Sequence, residues 1–284
     1  TEKGRFPGHF TAGFEASDAL PRLVSIKAGT KVNVVPGKAK AAVEGFEMAA
    51  LEKAAAETKE ETGISFEFAA EGTVTEITAT GIGAHASTPD VGNNALTGLL
   101  VFLGKLDFAS CPQVDMVRKT ASLFPHGDVN GKTLGVAMED ELSGNLTLSF
   151  NMLSVDAASM DGEFDGRIPV CGNDENVLEV VRARMAEQGL TLLNKALIPP
   201  HHVSADSYFV KTLLAAFELY TGRKGECQAL GGGTYVHHLE NGVAFGAAMP
   251  ETDNKMHGPD EFAVVDELLV SAKIFAQAIV DLCG

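Results

Sequence analysis

The stretch that decides the fold reads GIGAHASTP at residues 81–89 and continues as GNNAL at residues 92–96. The Thr-rich run before it, residues 73–80, predicts a strand. Leucines recur at helical spacing after it and predict a helix with one apolar face: Leu96, Leu99, Leu100, Leu103 and Leu106. His85 therefore lies on a glycine-rich turn between two regular elements, where a side chain can meet a ligand. The alternative is a histidine that only bonds its own turn.

The residues upstream predict the rest of an α+β half. Residues 23–28 and 32–35 are predicted strands, and the Ala/Glu/Lys-rich residues 46–61 predict a helix that ends at Gly63. Ile64, Phe66 and Phe68 alternate with polar residues, which predicts a strand paired with residues 73–80 as a hairpin. The first residues, including His9, are interpreted as an irregular leader.

Residues 146–198 predict a second α+β half. Strands are expected at residues 146–152 and 164–170, a helix at 177–189 and a further strand at 190–197. Pro199-Pro200 then interrupt the chain, and a domain boundary is predicted near residue 198.

The remaining residues, 199–284, predict a smaller second domain. A helix is expected from Ser207, a short apolar strand near residues 243–247 and a final helix with one apolar stripe. So few strands do not close a sheet, and this segment is expected to need partners. The predicted fold class is therefore α+β / α/β, with a two-lobed α+β domain at residues 1–198 and an incomplete α/β domain at 199–284.

Composition excludes several classes of partner. The 284 residues carry a formal net charge of −16, which disfavours nucleic acid and anionic membranes. The sequence shows no basic-then-apolar leader and no apolar run of about 18 residues. Its four cysteines are far apart and are expected to be reduced thiols. A cytoplasmic protein is predicted.

Three further places could bind a ligand. Arg167, in a predicted strand, could hold a carboxylate through two hydrogen bonds, or form a surface salt bridge. Gly231-Gly232-Gly233-Thr234 offers open backbone amides, although a tight turn is the alternative. His257 could ligate a metal, but one histidine makes no zinc site, and a capping role is the alternative. The sequence contains no GxSxG elbow, HExxH helix or catalytic cysteine signature.

Several of these stretches together resemble a known family. NVVP at residues 33–36, GAHASTP at 83–89, GGGTY at 231–235 and MHGPDE at 256–261 resemble the bacterial PepV-type dipeptidases in order and spacing. These belong to the aminoacylase and carboxypeptidase-G-like superfamily of two-zinc exopeptidases. The resemblance implies that residues 1–198 are a substrate-gripping lid domain and residues 199–284 the carboxy-terminal segment of a catalytic domain.

The resemblance also implies roles for individual residues. His257 matches the carboxy-terminal zinc ligand, and His85 matches the lid histidine that stabilises the tetrahedral oxyanion. Arg167 matches the arginine that holds the substrate carboxylate, and Asn33 matches a lid asparagine near the peptide. The backbone of Gly232, Gly233 and Thr234 would line the pocket.

In the family, a water held between two zinc ions is activated by a glutamate and hydrolyses a dipeptide or small peptide. The HxD segment, the bridging aspartate, the Glu-Glu pair and a further aspartate ligand precede the lid there, and none is present here. The chain is thus expected to be a fragment that is inactive alone, does not fully bind zinc and lacks an amino-terminal catalytic partner segment. A non-catalytic peptide-carboxylate binding module and an N-acyl amino acid amidohydrolase are the alternatives.

Overall fold

A computed structural model describes residues 1–246, 249, 251–255 and 260–284. The α-helices are α1 (Met48–Thr62), α2 (Ala95–Gly104), α3 (Pro112–Leu123), α4 (Glu179–Glu187), α5 (Tyr208–Thr221) and α6 (Val265–Cys283). The strands are β1 (Gly4–Gly13), β2 (Arg22–Ala28), β3 (Val34–Val35), β4 (Lys38–Glu44), β5 (Ser65–Glu71), β6 (Val74–Thr80), β7 (Ala84–His85), β8 (Glu139–Asp140), β9 (Gly144–Asn145), β10 (Thr147–Val155), β11 (Ser159–Ile168) and β12 (Thr191–Leu192). This mixture of helices and strands confirms the predicted α/β fold class.

The chain divides into two compact units. One consists of Lys3–Pro200, and the other of Thr1–Glu2 together with His201–Gly284. The Lys3–Pro200 unit contains all the strands named above and α1 to α4. Within its described residues, the other unit contains α5 and α6.

A single eight-stranded antiparallel sheet runs through the Lys3–Pro200 unit in the order β12-β1-β11-β10-β2-β4-β6-β5. The two predicted halves are joined in it, because β10 pairs with β2 from Leu153↔Ala28 to Val155↔Ile26. The predicted hairpin is present as β5 paired with β6. One face of the sheet packs against helices such as α2, whose residues Leu96, Leu99 and Phe102 are completely buried.

Several predicted boundaries are wrong. The supposed irregular leader is β1, in which His9 lies, and the prediction failed because Gly4, Pro7 and Gly8 normally interrupt strands. The strand predicted at residues 190–197 is only Thr191–Leu192, and Val32 and Asn33 form a turn. The strand β4 and the helix α3 were not predicted.

Glycine and phenylalanine alternate across the β1–β11 pair and explain the glycines of β1. Gly8 lies opposite Phe164, and Phe10 lies opposite Gly162. A Cβ atom on Gly8 would lie 2.0 Å from the Phe164 ring, and one on Gly162 would lie 2.3 Å from the Phe10 ring. Each ring therefore covers the glycine across from it. Glycine within a strand often marks a place where a neighbouring group approaches the backbone closely.

The smaller unit buries one face of α6 against α5. Ile274 and Ala278 pack with Leu213 and Ala216 in a small core. The predicted apolar stripe of the final helix is largely exposed instead: Leu268, Phe275 and Ile279 are 48%, 41% and 63% exposed. The predicted strand near residues 243–247 is wrong for 243–246, which are in no strand, and Ala247 lies outside the described residues. No helix in the described part of the chain is long and apolar enough to cross a membrane.

Candidate functional site

The predicted site residues fall in different parts of the chain. Asn33, His85 and Arg167 belong to the Lys3–Pro200 unit, whereas the Gly232-Gly233-Thr234 segment belongs to the other unit. His257, the predicted zinc ligand, lies outside the described residues.

The loop that carries His85 is held at both ends by backbone hydrogen bonds. The short strand β7 pairs with β3, so that His85 lies opposite Val34. Next to it, the Ile82 and Asn93 backbones bond each other at 2.8 Å in both directions. Gly81 is required beneath this contact, since a Cβ atom there would lie 2.1 Å from the Asn93 carbonyl oxygen. The glycine-rich stretch thus positions an exposed histidine on a rigid turn.

The neutral His85 ring has a preferred tautomer. The Ser87 backbone N–H donates to His85 Nδ1 at 3.1 Å, and the Ser87 hydroxyl lies 2.7 Å from the same nitrogen. A nitrogen that accepts a hydrogen bond has no proton of its own, so Nε2 carries the proton of the neutral ring. Nε2 is then a hydrogen-bond donor, as the stabilisation of an oxyanion requires. The alternative prediction, that His85 only bonds its own turn, explains the contacts of Nδ1 and gives no role to Nε2.

Asn33 lies at the base of the same loop. Its carbonyl oxygen accepts a hydrogen bond from the Ala86 backbone N–H at 3.0 Å. The neighbouring Val32 carbonyl accepts one from Asn151 Nδ2 at 2.6 Å. Asn151 is fully buried in the sheet strand β10, so the turn that contains Asn33 is fixed both to the His85 loop and to the sheet.

Arg167 is not a surface salt-bridge residue. Its side chain is 4% exposed, and its Nε and Nη2 atoms donate to the two oxygens of Asp165 at 2.5 and 3.1 Å. Burial raises the pKa of the Asp165 carboxyl, while the charges of Arg167, Arg5 and His85 act to lower it. His85 is thus near enough to Asp165 to influence its ionisation. Arg167 and His85 therefore both act on the Asp165 carboxyl.

Sequence reasoning missed Asp165 and Asn151. Asp165 could have been found, because residues two apart in a strand share a face, and Asp165-Gly166-Arg167 places a carboxylate beside the guanidinium. Asn151 could not. It lies where the β10–β11 register shifts between Phe150 and Met152, and such an irregularity has no simple signature in the sequence.

In the other unit, Glu2 anchors the glycine-rich segment. Its Oε1 atom accepts hydrogen bonds from the Thr234 backbone and hydroxyl at 3.1 and 2.5 Å, and its Oε2 atom lies 2.7 Å from His237 Nδ1. Burial acts to raise the pKa of Glu2, but its bonds to Thr234 and His237 outweigh this and lower it. These contacts hold Thr234 and its preceding glycines to the start of the chain.

The described residues do not fit a zinc pair. Within residues 1–246, 249, 251–255 and 260–284, no three His, Cys, Asp or Glu side chains are grouped so as to hold a metal ion. Glu2 with His237 supplies two donors, and a zinc site requires three or four ligands. All four cysteines are unpaired.

Comparison with known proteins finds relatives that are named as dipeptidases. A Bacillus subtilis (strain 168) protein named "Putative dipeptidase YtjP" is 34% identical over 99% of this chain. The Beta-Ala-Xaa dipeptidase of Lactobacillus delbrueckii subsp. lactis is 31% identical over the same share. The chain is thus similar in sequence to bacterial proteins that are named as dipeptidases. This confirms the predicted resemblance, although no family model matches the chain.

The homologues are longer than this chain. It spans 60% of the Bacillus protein and 59% of the Lactobacillus protein. Among solved structures, the aminoacylhistidine dipeptidase from Vibrio alginolyticus aligns with a TM-score of 0.48 and 12% identity over 98% of this chain and 61% of that one. An M20 family metallo-carboxypeptidase from Sulfolobus solfataricus aligns with a TM-score of 0.42 and 12% identity over 91% of this chain and 60% of that one.

Proposed function

We propose that this chain is the substrate-gripping lid and the carboxy-terminal catalytic segment of a two-zinc dipeptidase. One observation carries the proposal: Arg167 is buried in an ion pair with Asp165, and the charge of His85 also acts on this carboxyl. A buried, oriented guanidinium recognises a carboxylate with two-point geometry. A proton-bearing His85 Nε2 could donate to the oxygen of a scissile carbonyl.

The proposal assigns residues to distinct tasks. Arg167 binds the terminal carboxylate of a dipeptide, His85 stabilises the oxyanion, and Asn33 lies beside the peptide. The Gly232-Gly233-Thr234 backbone, held by Glu2, offers amide groups to the substrate. His257 is a zinc ligand, and the other ligands come from sequence beyond these 284 residues. A cytoplasmic location is part of the proposal and is supported by the unpaired cysteines.

The substrate class follows from the relatives and from Arg167. The Lactobacillus homologue is named as a Beta-Ala-Xaa dipeptidase, so β-alanyl dipeptides are natural test substrates. The guanidinium requires a free terminal carboxylate. An N-acyl amino acid has the same carboxylate but no free amino group, and comparison of the two classes separates a dipeptidase from an amidohydrolase.

A hydrolysis assay tests the function. The complete product of the parent gene is expected to cleave dipeptides when zinc is supplied, while the 284-residue chain is expected not to. Arg167→Gln in the complete product should raise KM for dipeptides by about tenfold or more, because a charge-assisted contact is lost. Arg184→Gln, which removes an exposed pair with Glu187, is the control and should change nothing.

Each alternative has its own outcome in this assay. Cleavage of N-acyl amino acids but not of dipeptides would replace the dipeptidase with an amidohydrolase. Binding of dipeptides without any hydrolysis by the complete product would favour the non-catalytic module. Hydrolysis by the 284-residue chain alone would contradict the proposal that the other zinc ligands come from sequence beyond these residues.

A further inference from the structure

A row of polar side chains crosses one face of the sheet beside Arg167. In the strand register, Arg5 of β1 lies opposite Arg167 of β11, and Arg167 lies opposite Thr147 of β10. Directly opposed residues of antiparallel strands share a face. The three side chains therefore form one continuous strip.

This strip carries more positive than negative charge. Asp165 is completely buried, contacts Arg167 at 2.5 Å and lies 3.7 Å from Arg5 Nη2. Two guanidinium charges against one carboxylate charge leave one positive charge in excess. Like charges directly opposite one another on a sheet are unfavourable, and buried charges require partners. An arrangement of this kind is adapted to receive an anion.

Two atoms of the strip lack hydrogen-bond partners. Arg5 Nε and Thr147 Oγ1 are buried and make no hydrogen bond within the part of the chain that the structure describes. Buried polar atoms in native proteins are rarely left in this state, so each indicates a missing partner. They flank Arg167 on its two sides, Arg5 on β1 and Thr147 on β10. The Arg5 side chain is also 33% exposed, against 4% for Arg167, and so is the more accessible cation.

We propose that Arg5 is a second carboxylate-binding residue and that it sets the preference for substrates with a free terminal carboxylate. Asp165 is the positioning residue: it orients Arg167 and leaves the second positive charge for the ligand. Thr147 offers a hydroxyl to the same group from the far side. The assignment of the anion as a peptide carboxylate rests on the proposed function, whereas the anion site itself rests on the strip.

Calorimetric titration of the 284-residue chain tests this proposal. The probes are glycylglycine, which has a free carboxylate, and glycylglycine amide, which does not. The wild-type chain is expected to prefer the acid. Arg5→Gln should weaken acid binding by about tenfold while leaving amide binding unchanged, so that the acid-to-amide ratio falls. A loss of folding would weaken both probes and leave the ratio unchanged.

Matched variants complete the experiment. Arg5→Lys keeps the charge but loses the Nε donor, and an intermediate ratio is expected. Arg22 of β2 forms ion pairs with Asp18 and Glu44. Arg22→Gln removes this cation and should leave the acid-to-amide ratio at the wild-type value. Urea unfolding of each variant verifies that the chain is folded at the titration temperature.

The outcomes separate this proposal from the proposed function. If Arg167→Gln abolishes the acid preference and Arg5→Gln retains it, the role of Arg5 is overturned while the carboxylate-gripping lid stands. If the wild-type chain binds neither probe, or binds acid and amide equally, the anion site is overturned, while the hydrolysis assay on the complete gene product decides the proposed function. If the acid-to-amide ratio falls for both Arg5→Gln and Arg167→Gln, the role of Arg5 and the carboxylate-gripping lid are both supported.

Discussion

At the scale of single residues, the candidate site depends on a carboxylate that is hidden from solvent. Asp165 is completely buried and is the counter-ion of Arg167, with Arg5 nearby. A buried ion pair contributes little net stability compared with apolar packing, but removing one partner leaves an uncompensated charge. The pair therefore fixes the direction of the Arg167 guanidinium more than it stabilises the fold.

Asp165→Asn is expected to destabilise the protein by about 3–5 kcal/mol, since two guanidinium groups would lose their buried counter-ion. Urea unfolding followed by circular dichroism measures the change. Asp161→Asn on the same strand is the matched control. Its pair with His9 is half exposed, and a change of less than about 1 kcal/mol is expected. Equal effects of the two substitutions would contradict the buried ion-pair role.

At the scale of elements, short loops are held by side chains that cap backbone groups. Asp140, at the end of β8, accepts hydrogen bonds from the Leu142 and Ser143 backbones through Oδ1, and from the Cys171 backbone through Oδ2. Desolvation acts to raise its pKa, but these donors outweigh it and lower the pKa from 3.8 to about 2. The β8–β9 turn is thereby tied to the segment that follows β11.

This lowered pKa predicts a pH-dependent contribution to stability. A carboxyl group whose pKa is lower in the folded protein stabilises it above its unfolded pKa of 3.8, and the contribution is lost as pH falls towards about 2. Asp140→Asn should thus cost about 1 kcal/mol at pH 7, and the cost should shrink between pH 4 and pH 2. Urea midpoints across this pH range measure it.

The neighbouring Glu141→Gln is the control for this titration. Glu141 is exposed, and its substitution should leave the urea midpoint unchanged at every pH. A cost for Asp140→Asn that stays constant down to pH 2 would show that the ionised carboxylate is not the stabilising group.

At the scale of the whole molecule, the two compact units differ in how much of their apolar surface is buried. The Lys3–Pro200 unit closes a large apolar core around its sheet, whose centre is a cluster of aromatic rings that includes Phe10, Phe124 and Phe150. In the smaller unit, α6 keeps apolar side chains such as Ile279 exposed. Exposed apolar patches of this kind are typical of interaction surfaces. The smaller unit was expected to need partners, and that prediction remains to be tested.

The aromatic core depends on glycines that leave room for rings. Gly162→Ala would place a methyl group 2.3 Å from the buried Phe10 ring, and a loss of about 1–3 kcal/mol in the free energy of unfolding is expected. Gly13→Ala is the control, because its Cβ atom would meet nothing closer than 4.0 Å. Thermal unfolding of both variants compares them. Equal stability would show that the sheet relaxes around the added methyl group.

Local patterns determined a good part of this protein from the sequence alone. The helix α1 ends at Gly63, which has the predicted left-handed conformation with φ of 74°, because glycine adopts it without strain. The β5–β6 hairpin and the stripe of α2 follow from periods of 2 and 3.6 residues. The motifs at residues 33–36, 83–89, 231–235 and 256–261 indicated the resemblance to dipeptidases. All these signals lie within a few neighbouring residues.

The tertiary structure decided what depends on residues far apart in the sequence. Whether His9 lies in a leader or in a strand depended on Phe164, more than 150 residues away, whose ring covers Gly8. Whether Arg167 is exposed or buried depended on the packing around Asp165 and on the register that places Arg5 opposite it. Burial and cross-strand pairing arise only when distant segments meet, so no local pattern contains them.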